Sequence, residues 1–189
     1  MRHRYDTRGI VLSRSPLGEA SALITLLTPE LGIIRARAQS LRAPGAKLAG
    51  ALTTLTESSI ILVRGKEGWR LAGALPEEQW FSRLPDAASR SRVSRVSGLL
   101  LRLVAGEAQD AGLFPVMRGY LEALATLPEE LHEAAEVLVV LRFLEVLGLD
   151  TGETPGDLAA FTPELVAAIA HDRSTYIARI NTGIAASGL

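Results

Sequence analysis

Residues 22–39 read ALITLLTPELGIIRARAQ, and this stretch sets the fold of the first part of the chain. Two mostly apolar runs, 22–28 and 33–39, flank the short turn Pro29-Glu30-Leu31-Gly32. Proline near the start of a turn and glycine at its end favour a tight hairpin loop. The two runs are therefore predicted to be neighbouring antiparallel strands.

Three more strand-like runs surround this hairpin. Residues 9–14 precede it and end at a breaker cluster, whereas residues 51–64 follow it and are rich in Thr, Ile, Leu and Val. The turn 65–68 then leads into a last run at 69–72. Five short antiparallel strands within about seventy residues predict a small closed barrel of the OB-fold type, with an SH3-like barrel as the alternative.

The rest of the chain has a helical pattern. Asp86 is placed to cap a first helix, Pro115 lies in the first turn of a second, and residues 126–129 resemble the capping box of a third. Between Val137 and Leu147 that third helix is apolar almost all round, and it ends near Gly148, so it is predicted to be the buried centre of a bundle. Two further helices are predicted, at 163–171 and 174–186.

These patterns predict two domains of different class and opposite charge. An all-β barrel domain at 1–76 precedes an all-α helical bundle at 77–189, in which residues 149–162 form a linker. Residues 1–75 carry eleven Lys and Arg against five Asp and Glu, a net +6, and the remainder carries nine against sixteen, a net −7. A basic half points to a polyanionic partner, most commonly nucleic acid.

Composition excludes several kinds of site. The 189 residues include no cysteine, so there is no disulfide, no thiol nucleophile and no cysteine zinc site. Three histidines lack ligand spacing, and His132, flanked by glutamates, is predicted to be solvated. No nucleophile–base pair and no phosphate-binding glycine loop is recognisable. A cytosolic, soluble protein is expected, without cofactor or metal and not an enzyme.

Basic residues of the predicted barrel are the nucleic-acid candidates. Arg35, Arg37 and Gln39 alternate with small apolar residues, and this period of two puts them on one face of a strand. Two guanidinium groups on one face form a phosphate-binding surface, although a merely solvated face is the alternative. Trp69 is expected to pack in the core rather than to stack on bases. The predicted DNA-binding residues are Arg14, Arg35, Arg37, Arg42, Lys47, Arg64, Lys66 and Arg70.

A series of segments carries a resemblance to a known family. The longest is TRGIVLSRSPLGEAS at 7–21, and LTPELG at 27–32 follows it. The shorter segments are Ala38, 50–52, 62–65, 113–114, 120–124 and 141–149. In this order they resemble the RecO family of bacterial DNA repair proteins, and the resemblance covers about residues 1–149.

The resemblance implies both a fold and a function. Members of the family are recombination mediators, in which an N-terminal OB-fold binds single- and double-stranded DNA and a helical domain follows. They anneal complementary strands and, with RecR, help RecA displace single-stranded DNA-binding protein (SSB). The chain is accordingly expected to act in DNA repair and recombination in the cytoplasm, at the nucleoid. Its expected partners are DNA, RecR and SSB, without a membrane or a small-molecule substrate.

Two features depart from the family pattern. Many members carry a four-cysteine zinc module directly after the segment that matches Leu149, where this chain continues with residues 151–157 and has no cysteine. The loop that is densely basic in the family reads QSLRAPGAK at 39–47, in which Arg42 and Lys47 are the cations. The chain is therefore predicted to be a short variant without zinc and with a less basic DNA-binding loop.

The helical half is predicted to bind the acidic, apolar tail of SSB. Such a tail needs an apolar pocket with a cation at its rim. Arg118 and Arg142 lie beside apolar helical faces and are the candidates, whereas Arg92 and Arg95 are predicted to face solvent. The alternative is that Arg118 and Arg142 pair with neighbouring glutamates and only solubilise the bundle.

Two other functions remain open at this point. The chain could be a protein-interaction scaffold whose barrel binds DNA or RNA weakly. It could also be a tRNA-binding or ribosome-associated OB-fold factor, which shares the charge pattern but does not account for the helical match.

The absence of cysteine predicts that folding does not depend on a metal. We expect EDTA to leave the thermal unfolding midpoint unchanged, because no metal–ligand bond contributes to the folded state. Differential scanning calorimetry with and without the chelator measures this. Stoichiometric zinc in purified, EDTA-washed protein would contradict the prediction.

Overall fold

The computed structural model describes residues 3–18, 21–39, 50–104 and 106–189. The chain divides into two compact units, which are Met1–Ser82 with Gly106–Ala111, and Arg83–Ala105 with Gly112–Leu189. We call them the barrel unit and the helical unit. The barrel unit continues past residue 76 because its last strand is longer than the apolar run at 69–72 suggests.

The barrel unit is a closed barrel of five strands. They close in the order β1-β2-β3-β5-β4, and β4 returns to pair with β1. The five predicted strand runs are all present, but β1 has 15 residues and β5 has 12, so the strands are not uniformly short. Their bounds are β1 His3–Leu17, β2 Ser21–Thr28, β3 Gly32–Ala38, β4 Thr56–Gly65 and β5 Gly68–Gln79.

One strand pairing corrects the prediction that the barrel is antiparallel throughout. β3 and β5 are parallel neighbours, paired at Ala36–Trp69 and Arg37–Arg70. The other four pairings are antiparallel. β4 precedes β5 in the chain but lies on its other side, so β3 and β5 meet through a crossover rather than a hairpin. Hydrophobic patterns identify strands but do not say which strands lie side by side.

Both predicted hairpins are confirmed. Thr28 pairs with Gly32 across the first turn, and Gly65 pairs with Gly68 across the second. The Thr28 hydroxyl closes the first turn by accepting from the Leu31 amide at 3.1 Å and donating to the Gly32 carbonyl at 3.0 Å. Gly32 has a φ of +63°, which side-chain-bearing residues rarely adopt.

The barrel is filled by apolar side chains from all five strands. Its core includes Ile24, Leu26, Ile60 and Leu62, each at most 1% exposed. Leu52 joins this core from a 3₁₀ turn, Gly50–Leu52. The predicted strand run at 51–64 is therefore wrong at its start, because the first residues form this turn and β4 begins at Thr56.

The helical unit is a bundle around one buried helix. The α-helices among the described residues are α1 Trp80–Arg83, at the end of the barrel unit, and then α2 Ala87–Leu103, α3 Leu113–Thr126, α4 His132–Val146, α5 Pro163–His171 and α6 Arg173–Ala186. As predicted, α4 is the centre, and it contacts α2, α3, α5 and α6. The Asp86 carboxylate caps α2 by accepting from the Ser89 amide at 2.6 Å, as predicted. Among the described helices, none is long and apolar enough to cross a membrane.

The start of α4 differs from the prediction. A 3₁₀ turn, Glu129–Leu131, precedes the helix, and the Thr126 hydroxyl donates back to the Glu122 carbonyl instead of forming a capping box. His132 is only 2% exposed, so the prediction that it is solvated is wrong. Its Nδ1 lies 3.2 Å from the Ser89 hydroxyl and its Nε2 lies 2.9 Å from the Leu127 carbonyl oxygen. These bonds satisfy a polar ring inside the bundle.

Tyr120 of α3 is a buried phenol in the helical unit. The residue is 0% exposed, and its hydroxyl has no hydrogen-bond partner among the described residues. Burial raises the pKa of Tyr120 well above its ordinary value of 10.0, because the ionised form would lose its hydration. The folded state therefore keeps this phenol neutral at a pH where the unfolded chain ionises it.

Replacing Tyr120 by Phe should preserve or raise stability at neutral pH, by up to about 1 kcal/mol, because an unsatisfied buried hydroxyl is removed. With the folded pKa raised, the stability contributed by Tyr120 is complete below about pH 10 and falls as the pH rises further. The variant should lose less stability than wild type over that range. Urea unfolding at several pH values measures this, with Tyr176→Phe as the control. Equal alkaline loss in wild type and Tyr120→Phe would contradict the assignment.

Candidate nucleic-acid interface

β3 presents the predicted basic face. Arg35, Arg37 and Gln39 are exposed, and the residues that alternate with them are buried. The apolar residues fill the barrel, so the strand can present its polar side chains only outward. The predicted alternation along β3 is confirmed.

The parallel ladder adds a second arginine to this face. Arg37 lies directly opposite Arg70 of β5, and both are exposed. Residues that are directly opposite share a face, and like charges in such positions destabilise a sheet. The guanidinium of Arg37 is partly neutralised by Glu67, at 3.3 Å between Nη1 and Oε2. An anion bound across Arg37 and Arg70 would relieve the remaining repulsion.

The hairpin between β4 and β5 borders this basic face. Its Arg64 guanidinium lies 4.8 Å from the ring centroid of Trp69, and the Tyr5 ring meets Trp69 edge-on at 5.1 Å. Trp69 itself is 9% exposed and belongs to the barrel core, as predicted. A cleft of about 810 Å³ opens here, and Lys66 also lines it. Since the Arg64 guanidinium covers the indole ring, a ligand in the cleft would contact cations rather than an aromatic ring on which a base could stack.

The barrel cations fall into two groups by ion pairing, since Arg4, Arg8, Arg37 and Arg64 pair with carboxylates and four others do not. Arg14, Arg35, Lys66 and Arg70 form no ion pair with any residue that the structure describes. In the helical unit, ion pairs are formed by Arg83, Arg92, Arg95, Arg173 and Arg179. Of the four unpaired cations, Arg35 and Arg70 lie on the face that also carries Arg37, and they leave a positive potential there that an anionic ligand can use.

The structure does not unite all the predicted DNA-binding residues. The face that holds Arg35 and Arg37 continues across the ladder to Ser13 and Ser15 of β1. Arg14 lies between these serines, opposite the buried Ile24, so it is out of phase with that face. The predicted residues in the loop, Arg42 and Lys47, lie outside the described residues.

One acidic residue of the site was not found from the sequence. Glu107, in the segment Gly106–Ala111, accepts a hydrogen bond from the Arg35 amide at 3.3 Å through Oε1. Its Oε2 lies 3.8 Å from the Arg64 guanidinium. Glu107 is 72 positions from Arg35 along the chain, beyond any local pattern.

Comparison with known proteins places this barrel in a family. The family model "Recombination protein O N terminal" matches residues 1–73, which span most of the barrel unit. "DNA repair protein RecO" of Heliobacterium modesticaldum is 31% identical over 174 residues, 85% of this chain. Proteins of the same name from Gloeobacter violaceus and Roseiflexus sp. are 32% and 34% identical, over 77% and 79% of this chain. The chain belongs to the RecO family.

This RecO-family chain spans only part of its relatives. The aligned segments cover 62% of the Heliobacterium protein, 56% of the Gloeobacter protein and 50% of the Roseiflexus protein. The chain thus matches between 50% and 62% of the length of these relatives.

Two arginines of the helical unit, predicted to face solvent, form ion pairs between helices instead. Arg92 and Arg95 of α2 both bind the Glu136 carboxylate of α4, at 2.7 and 2.9 Å, so they join two helices rather than simply facing solvent. Arg118 is exposed on α3. Its assignment to an SSB tail stays a prediction.

The structure corrects the prediction that Arg142 binds a partner. The residue is 0% exposed, and its guanidinium donates to the carbonyl oxygens of Leu158 and Pro155 at 2.8 and 3.3 Å. It also lies 4.6 Å from the ring centroid of Phe161. Burial lowers the pKa of Arg142 to about 10, since the charged form is partly desolvated. A side chain in this position fixes the segment 155–161 to α4 and cannot meet an incoming peptide.

Replacing Arg142 by Ala should lower the free energy of unfolding by about 2–4 kcal/mol, because the carbonyl groups of Leu158 and Pro155 lose their donor and a cavity remains where the buried side chain was. Urea denaturation measures the loss. The exposed Arg102 is the matched control, and Arg102→Ala should stay within about 0.5 kcal/mol of wild type. Unchanged stability in Arg142→Ala would show that the segment 155–161 is held by other contacts.

Proposed function

We propose that this chain binds DNA through the outer face of the barrel, where Arg35, Arg37 and Arg70 lie together. The observation that carries this proposal is the pairing of Arg37 with Arg70 across β3 and β5, with both side chains exposed. A guanidinium group offers a planar fork of donors that matches a phosphate. A phosphodiester placed between the two arginines would remove a like-charge repulsion that the folded protein otherwise retains.

The contacts are proposed to be with the DNA backbone rather than with the bases. The one tryptophan near the site, Trp69, is packed in the core and covered by Arg64. Backbone contacts carry no sequence information and serve single and double strands alike. The barrel is thus proposed to act as an OB-fold that binds both forms of DNA.

The biological role proposed is that of a recombination mediator in DNA repair. The matched relatives carry the name DNA repair protein RecO, and the matched family model describes recombination protein O. A cationic surface that neutralises phosphates lets two complementary strands approach and anneal. With RecR, the chain is proposed to help RecA load on SSB-coated single-stranded DNA. In this role it acts by binding and not as an enzyme.

The proposed contact with SSB lies on the helical unit. Its acidic, apolar tail requires an accessible cation, and Arg118 is exposed whereas Arg142 is buried. Arg118 is therefore the remaining candidate of the two.

Replacing both Arg35 and Arg37 by Ala should weaken DNA binding equally for all sequences, because phosphate contacts are lost. The slope of log affinity against log salt should decrease in magnitude by about 0.9 per lost contact on duplex DNA and about 0.7 on single strands. Fluorescence anisotropy with labelled oligonucleotides in a salt series measures both slopes.

The matched control removes the same charge from the helical unit. Arg102 and Arg173 are exposed there, and replacing both by Ala should leave the slope unchanged. An unchanged slope in the Arg35/Arg37 variant would place DNA elsewhere and favour the scaffold alternative, in which the barrel binds nucleic acid weakly.

A further inference from the structure

β3 and β5 pair along only part of their length, and a segment distant in the sequence pairs with the rest of the β3 edge. The two strands pair at only two positions, Ala36–Trp69 and Arg37–Arg70, which leaves the first half of β3 without a neighbour from β5. The segment Gly106–Ala111 lies along this edge instead. Ala108 exchanges two backbone hydrogen bonds with Ile33, at 2.8 and 3.1 Å.

This segment is closely fitted to β3. A side chain at Gly32 would collide with the carbonyl oxygen of Ala108. The fit fixes the backbone of the segment beside the proposed DNA-binding face. The fit therefore also fixes the backbone position of the neighbouring residue, Glu107.

The Glu107 carboxylate occupies an anion position. One oxygen accepts from the Arg35 amide at 3.3 Å, and the other lies 3.8 Å from the Arg64 guanidinium. An edge-strand amide and a guanidinium are donors that also bind phosphate oxygens. Arg64 is held in place by its contact with the Trp69 ring, so the cation remains positioned whichever anion it faces.

The pairing of Glu107 with Arg64 is easily displaced. The side chains are 42% and 47% exposed, and their charged atoms are 3.8 Å apart. An exposed pair of this kind contributes little and is screened by salt. A phosphodiester, anchored at the same time by the cations of the neighbouring face, can compete with it.

We propose that the Arg35 amide and the Arg64 guanidinium form a phosphate subsite for the DNA backbone, and that Glu107 occupies this subsite in the free protein. This inference rests on the proposed DNA-binding function and adds a competing carboxylate to it. DNA must displace Glu107 to use Arg64, so the carboxylate sets an upper limit on affinity.

The test is Glu107→Gln, which removes the charge but keeps an oxygen that can accept from the Arg35 amide. With a labelled oligothymidylate, this variant should bind about fivefold more tightly at 0.1 M salt, and its salt slope should steepen by about 0.7, as one more phosphate contact predicts. The matched control is Glu30→Gln, at the exposed hairpin turn of the same unit. Glu30→Gln makes the same change in net charge, but it should change the affinity and the salt slope by less than Glu107→Gln does.

A double-mutant cycle with Arg64→Gln identifies the cation involved. In that background, Glu107→Gln should give no greater gain than Glu30→Gln. A gain that persists without Arg64, or that equals the Glu30→Gln gain in the wild-type background, would overturn the subsite. Absence of binding by both wild type and Glu107→Gln would refute the proposed DNA-binding function itself, so the two failures are distinguishable.

Discussion

The parallel contact between β3 and β5 is the constraint on which the rest of the barrel unit depends. Only two residue pairs form it, and they have opposite roles. Ala36 and Trp69 face the core, whereas Arg37 and Arg70 face outward. Because the side-chain period of a strand is two, the register that buries the tryptophan also brings the two arginines together. The pairing that closes the barrel therefore also brings these two positive charges together on its outer face.

Much of the fold follows from local patterns in the sequence. Turn residues identify both hairpins, and the period of two along β3 separates exposed arginines from buried alanines. In the helical unit, the Asp86 cap and the continuous apolar surface of α4 identify a helix start and the centre of the bundle. Each of these features depends on residues close together in the chain, where turn chemistry and hydrophobic periodicity act directly.

The features that the sequence did not reveal depend on long-range contacts. The crossover that makes β3 and β5 parallel is decided by how the whole barrel packs, and the contact of Glu107 with Arg35 joins residues 72 positions apart. The interpretation of Arg142 as a partner-binding cation is wrong for a related reason. A lone arginine on an apolar helix resembles a surface cation, but two carbonyl groups of the segment 155–161 accept hydrogen bonds from its buried guanidinium.

Two arginines of the barrel face differ in their contacts from most arginines of the helical unit. In the helical unit, guanidinium groups bind carboxylates of neighbouring helices or backbone carbonyl groups, so these donors stabilise the fold. On the barrel face, the side chains of Arg35 and Arg70 meet no carboxylate among the described residues. The net charge of −1, summed over the whole chain, therefore does not reveal a surface whose cations are available to an external polyanion.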